Sequence, residues 1–187
     1  RKFSQNDTSY ISKSTSTWVF GIRNSNWLDA YDLETSEATS IGMQSDLCYN
    51  LGVSVGYKFL TLGYSVNLTN VFSKQTAGKE WDFGINYNRF GLDAYYLNNT
   101  GNTNITEYTE DGNQLEMHQP FDGITSTIYG LDITYFFNHS RYSNAAAYTN
   151  YATIQRKRAG SWIAGLTFSR QKLFLDFSKL SEEVASK

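Results

Sequence analysis

Large apolar side chains alternate with glycine, serine, threonine and asparagine along most of this chain. In the stretch GVSVGYKFLTLGYSVNL, residues 52–68, Val53, Val55, Tyr57 and Phe59 share one parity, and Gly52, Ser54, Gly56 and Lys58 share the other. The parity reverses at Leu60. From there Leu62, Tyr64, Val66 and Leu68 are the apolar set, and Thr61, Gly63, Ser65 and Asn67 the small or polar one. A period of two marks strands, because successive side chains leave opposite faces of a pleated backbone. The same period runs through Trp18–Ile22, Trp81–Tyr87, Tyr129–Phe137, Trp162–Phe168 and Leu173–Phe177. Helical periodicity is nearly absent, and only Ala145–Ala147 point to a short helical turn. The pattern predicts strands over 17–31, 37–48, 49–58, 60–70, 79–89, 91–98, 125–139, 159–170 and 172–178.

The reversal at Phe59–Leu60 predicts a hairpin, because 51–68 as one strand would far exceed the ~9–11 residues that cross a bilayer. A bulge is the alternative. Two polar connections interrupt the strands. Residues 98–123 hold the only proline and read as a long external loop, and 139–161 are less strand-like.

The companion parity of a soluble sandwich or calycin-type barrel carries charges. Here it carries glycine, serine, threonine and asparagine, which fits a sheet whose large residues touch lipid. The expectation is an all-β, antiparallel transmembrane β-barrel of the outer-membrane kind. About 8–10 strands are in view, as a whole barrel or part of a larger one. The lipid-facing candidates are Val53, Val55, Leu62, Tyr64, Val66, Tyr129, Leu131, Ile133, Trp162, Leu166 and Phe168. Trp18, Trp27, Trp81 and Trp162 are candidates for the interfacial aromatic girdle, with ordinary core as the other reading. Arg23, Asp82, Arg89, Asp93 and Asp132 are the lumen-charge candidates, with Lys58 and Lys172 as further cations for the aspartates. The barrel domain is expected over 17–178, between polar segments 1–16 and 179–187.

Composition narrows this picture. Charged residues make up 18%, below the roughly 25% of soluble domains. The polar average and the lack of a long apolar run exclude a helical membrane protein but not a β-barrel. A net charge of −2 gives no field for nucleic acid. Cys48 stands alone, so it forms no internal disulfide and reads as a small strand filler.

The run YFFNHSRYSNAAAYTNYATIQRKRAGSWIAGL, 135–166, resembles the signature of the Bacteroidota domain-of-unknown-function family DUF4421. Its matching positions are Phe137, Asn138, Ser143, Ala146, Ala147, Gln155, Lys157, Ala159, Gly160 and Ser161. NDTSYI, 6–11, resembles the family's Asp-Thr-x-Tyr-Ile run, and 51–68 and 79–96 resemble its paired strands. The resemblance implies outer-membrane β-barrels, exported through the inner membrane, without an established activity. It also implies longer chains. The close LSEEVASK gives the expectation that residues continue past 187 or that the barrel closes differently.

Chemistry-bearing motifs are sparse. No metal, phosphate-loop or dinucleotide motif occurs, and no cofactor is expected. His139 and Ser140 could form a dyad only where a strand has ended, and no carboxylate lies near in sequence to orient the imidazole. His118 lies in the polar connection. Arg156, Lys157 and Arg158 read either as a clamp for lipid phosphate or a partner, or as a solvated turn. Glu107, Glu110, Asp111, Glu116 and Asp122 lack calcium-loop spacing. The sequence therefore favours a non-enzymatic structural or accessory subunit of a larger assembly in the bacterial outer membrane, with the lipid bilayer as its partner. A small pore or transporter is the first alternative. A lipid-modifying enzyme and a soluble ligand-binding barrel follow.

Overall fold

The computed structural model describes residues 6–15, 17–36, 39–72, 78–100, 103–149 and 153–179. Its elements in chain order are β1 (Ile11–Lys13), β2 (Trp18–Trp27), β3 (Ala30–Ser36), β4 (Thr39–Ser45), β5 (Cys48–Tyr57), β6 (Leu60–Asn67), α1 (Leu68–Phe72), β7 (Lys79–Asn86), β8 (Phe90–Thr100), β9 (Thr103–Glu110), β10 (Asn113–Phe121), β11 (Ile124–Phe136), α2 (Asn144–Thr149), β12 (Thr153–Gln155) and β13 (Ile163–Leu175). The fold is all-β, and its strand pairs are antiparallel. The principal sheet has seven strands in the order β13-β11-β8-β7-β6-β5-β2. A second sheet has the order β10-β9-β4-β3, and β1 pairs with β12.

Two long hairpins build both sheets. β2 runs on into β3 and returns through β4 into β5. β8 runs on into β9 and returns through β10 into β11, and β4 pairs with β9 to join the two. The chain bends where aspartates interrupt the ladders. Asp29 N donates to Ser45 Oγ at 2.9 Å, and Asn104 Nδ2 donates to Asp46 Oδ1 at 2.8 Å. Beyond the bend Ile41, Met43, Ile105, Phe121 and Ile124 form a buried core, edged by Tyr31, Leu33 and Tyr108. This extension is apolar inside, as a water-exposed fold should be.

The principal sheet is curled toward its polar face. β5 and β6 separate β2 from β7, which in a flat sheet would put those strands ~14 Å apart, three spacings of ~4.8 Å. Yet Ser25 Oγ donates to Glu80 Oε2 at 3.0 Å, Arg23 lies 3.7 Å from Glu80, and Arg23 also pairs with Asp82. Side chains of that length meet only across a concave surface.

Several expectations change. Among the described residues the sheet is not a closed barrel, because β2 and β13 are both edges. Seven strands of alternating direction leave these edges running the same way. The seven sheet strands, thirteen in the whole described chain, replace the expected 8–10. The described residues of 98–123 form not a loop but the end of β8 and the β9–β10 hairpin, which turns on Asp111 (φ 49°) and Gly112 (φ 79°). The expected strands 159–170 and 172–178 are one strand, β13, paired with β11 along its whole length. The hairpin at 58–59 forms as expected, with Tyr57 opposite Leu60. The helical turn expected at Ala145–Ala147 is α2, capped by Ser143 Oγ, which accepts from Ala146 N at 3.0 Å.

Candidate functional site

The register stacks the apolar parity into rows that cross the principal sheet. One row reads Ile22, Val53, Tyr64, Trp81, Tyr96, Tyr129, Arg170. The next reads Phe20, Val55, Leu62, Phe83, Ala94, Leu131, Phe168, and the third Trp18, Tyr57, Leu60, Ile85, Leu92, Ile133, Leu166. All eleven residues expected on the apolar face share this parity, Val66 in the next row toward the extension and Trp162 just before β13. This face lies open. Ile22 is 85% exposed, Val53 64% and Leu62 46%, whereas Ser65 and Asn86 on the opposite face are each 2% exposed. The usual partition of a water-soluble sheet is reversed.

The band has defined ends. Toward the extension, the row Asn24, Leu51, Val66, Lys79, Asn98, Thr127, Lys172 turns polar, and Asn98 Nδ2 donates to Thr127 Oγ1 at 3.0 Å. Tyr64 and Trp81 pack below it at 4.4 Å, and Lys172 Nζ lies over the Tyr129 ring at 5.8 Å. At the other end Phe59 stacks on Tyr87, Tyr87 meets Phe90 at a tilt, Lys58 lies over Tyr57 and Arg89 over Tyr135. From Thr127 to Phe137 the chain rises ~34 Å at ~3.4 Å per residue, which a strand tilt of ~40° projects to ~26 Å.

The small residues of the inner face make room for larger neighbours. A Cβ on Gly63 would collide with the Arg23 guanidinium and the Asp82 carboxylate, one on Gly84 with Thr61 and Asp93, and one on Gly130 with the Tyr95 ring. Arg23, Asp82, Asp93 and Asp132 share this face, with Asp93 directly opposite Asp132. Arg89 does not join them. It sits in the β7–β8 turn, its Nε donating to Tyr135 Oη at 3.3 Å on the apolar side. Lys58 and Lys172 likewise lie on outer tyrosines. Trp27 is no girdle residue, because its parity places it opposite Cys48 in the inner set, while Trp18, Trp81 and Trp162 keep the outer one.

The described residues of the run 135–166 fold into a hydrogen-bonded knot at the tight-turn end. Gln155 Nε2 donates to the carbonyls of Arg141 (2.7 Å), Lys157 (2.8 Å) and Tyr10 (3.4 Å), while its Oε1 accepts from Ser143 N (2.9 Å). Asn138 binds Ser161 Oγ and the Gly160 carbonyl, and buried Asn144 donates to Asn86 on the inner face of β7. Arg141 and Lys157 both lie over the Tyr10 ring, each at 5.3 Å. Hydrogen bonds from Ser9 hold the Asp7 carboxyl below the usual carboxylate range. Sequence reasoning assigned Gln155 no role. The stretch that follows β12 therefore splits its basic run, with Lys157 on Tyr10 and Arg156 and Arg158 exposed.

β11 ends at Phe136, so His139 and Ser140 lie in a turn. His139 faces Tyr135 edge-on, and the Ser140 carbonyl accepts from Asp7 N at 2.8 Å. His118 is exposed on β10. Among the described residues no group of three His, Cys, Asp or Glu side chains is placed to hold a metal, and no helix is long and apolar enough to cross a membrane. A family model described as "Domain of unknown function (DUF4421)" matches residues 5–187. No curated protein and no solved structure matches the chain.

Proposed function

The chain belongs to the DUF4421 family, and from the geometry above we propose that it is a non-enzymatic outer-membrane protein of Bacteroidota. In this reading the seven-stranded sheet is the lipid-embedded wall of a β-barrel and serves as a structural subunit of a larger assembly. One observation carries the reading: side chains such as Ile22 and Val53 are exposed on a face whose opposite side buries Ser65 and Asn86. Exposed apolar residues scattered singly are normal on soluble proteins, but a continuous band crossing seven strands is not. Lipid removes its cost, and an aromatic girdle with cations at each end matches the interfacial level of a membrane. The two edges run in the same direction, so an odd number of further strands completes an antiparallel wall. That supports a sheet built into something larger.

A conducting pore is less favoured. Arg23 spans the inner face to Glu80 and Asp82, and Asn144, at the start of α2, meets Asn86 at one end. The test is folding in detergent. The protein should migrate on a denaturing gel as a compact species that shifts on boiling. A folded, monodisperse chain in plain buffer would overturn the membrane reading in favour of a soluble ligand-binding fold.

A further inference from the structure

A cavity of about 560 Å³ opens at the tight-turn end of the sheet. Lys58 and Phe59 of the β5–β6 turn line it, with Tyr87 and Arg89 of the β7–β8 turn, Phe90 and His139. Part of its wall is aromatic: Phe59 and Tyr87 stack at 4.5 Å, and Tyr87 and Phe90 meet tilted at 5.1 Å. Its charge has one sign. Lys58 and Arg89 bring two cations from neighbouring turns, no carboxylate lines the cavity, and neither cation forms an ion pair among the described residues. Lys58 also sits at φ 54°, where glycine or asparagine is the low-strain choice for a two-residue hairpin turn. Strained backbone of this kind concentrates at functional positions.

We propose that this cavity binds the phosphate group of an anionic amphiphile. Lys58 and Arg89 swing off the Tyr57 and Tyr135 rings on which they rest to hold the phosphate between them, and the alkyl chain runs over Phe59, Tyr87 and Phe90. Guanidinium and ammonium groups pair with phosphate through charge-assisted hydrogen bonds, and a cavity of this size suits one headgroup and the start of its chain. Taking a lipid as the source rests on the membrane reading. The phosphate chemistry does not.

The experiment is calorimetric titration of the detergent-folded protein with short-chain phosphatidic acid, short-chain phosphatidylcholine and inorganic phosphate. Phosphatidic acid should bind at least tenfold more tightly than phosphatidylcholine. The Lys58→Asn/Arg89→Gln double variant should lose at least tenfold in affinity, Arg89→Lys should retain most of it, and Arg156→Gln should retain all of it. Should the double variant misfold, Arg89→Gln alone, at an exposed turn position, carries the same test. Inorganic phosphate binding as tightly as phosphatidic acid would keep the phosphate site and overturn the lipid source. Equal affinity for the two lipids, or no loss in the variants, would overturn the proposal. A chain that stays folded without detergent removes the membrane reading while leaving the phosphate titration valid in buffer.

Discussion

Leu62→Arg separates a lipid-facing sheet from a water-facing one by magnitude. Leu62 lies in the middle apolar row, flanked by Val55 and Phe83, and is about half exposed. In hydrocarbon, arginine near the midplane of a barrel wall costs ~2–4 kcal/mol, falling to ~0–1 kcal/mol near the interface. Val66 lies four residues on, in the row that turns polar, so Val66→Arg falls in the lower range. In water the estimate differs. Full burial of a leucine is worth ~1.5–3 kcal/mol, about half of which is already forgone here, and the arginine stem covers part of the remainder. A soluble sheet therefore loses under ~1 kcal/mol at either site. The assay is urea-dependent folding into phosphatidylcholine vesicles, comparing wild type, Leu62→Arg, Val66→Arg and Leu62→Phe. The expected order is a large loss for Leu62→Arg, a small one for Val66→Arg and almost none for Leu62→Phe. Equal losses for the two arginine variants, within about 0.5 kcal/mol, would refute the reasoning.

Gly63→Leu should destabilise by ~1–3 kcal/mol in the same assay, because the new side chain displaces the Arg23–Asp82 pair from the space it occupies. Gln155→Ala removes one amide serving four backbone groups. At ~1 kcal/mol net for each bond, and with water replacing some, it should cost ~2–3 kcal/mol. Limited trypsin cleavage after Arg141, followed by mass spectrometry, should then accelerate, and an unchanged rate would count against the knot. Tyr31 in the extension is pushed up to about 12, chiefly by burial. Its folded value exceeds its unfolded value of 10.0, so the stability it contributes is complete below pH 10 and is lost as pH rises toward 12. Denaturation midpoints of wild type should fall over that window, and those of Tyr31→Phe should fall less.

The sequence made the principal sheet legible wherever one parity is large and apolar and the other small. Val53, Leu62, Phe83, Leu131 and Phe168 all lie on the face their alternation implied. The extension was not legible. β9 and β10 form a hairpin rich in polar side chains, so the apolar alternation fades, and the missed signal was the Asp111–Gly112 pair, a strong turn former between two strands. Pro120 argued for a loop, but β10 is an edge strand, where a missing donor is tolerated. Trp27 failed for a simpler reason. Nine residues separate it from Trp18, an odd step that puts the two on opposite faces. Arg89 looked like a lumen charge because strand 79–89 was drawn past its true end at Asn86, and a residue in a turn escapes the parity rule. The knot around Gln155 has no periodic signature. Its partners are backbone groups brought together by the turn after β11.

The central claim is that the apolar face meets hydrocarbon, and β13 offers the most direct measurement, since its side chains are exposed on both faces. Single spin labels at Leu166, Thr167, Phe168 and Ser169, on a background with Cys48 replaced, report collision rates with oxygen and with a water-soluble nickel chelate. In vesicles, Leu166 and Phe168 should show high oxygen and low nickel access, and Thr167 and Ser169 the reverse. Nickel access at Leu166 and Phe168 equal to that at Thr167 and Ser169 would contradict the account.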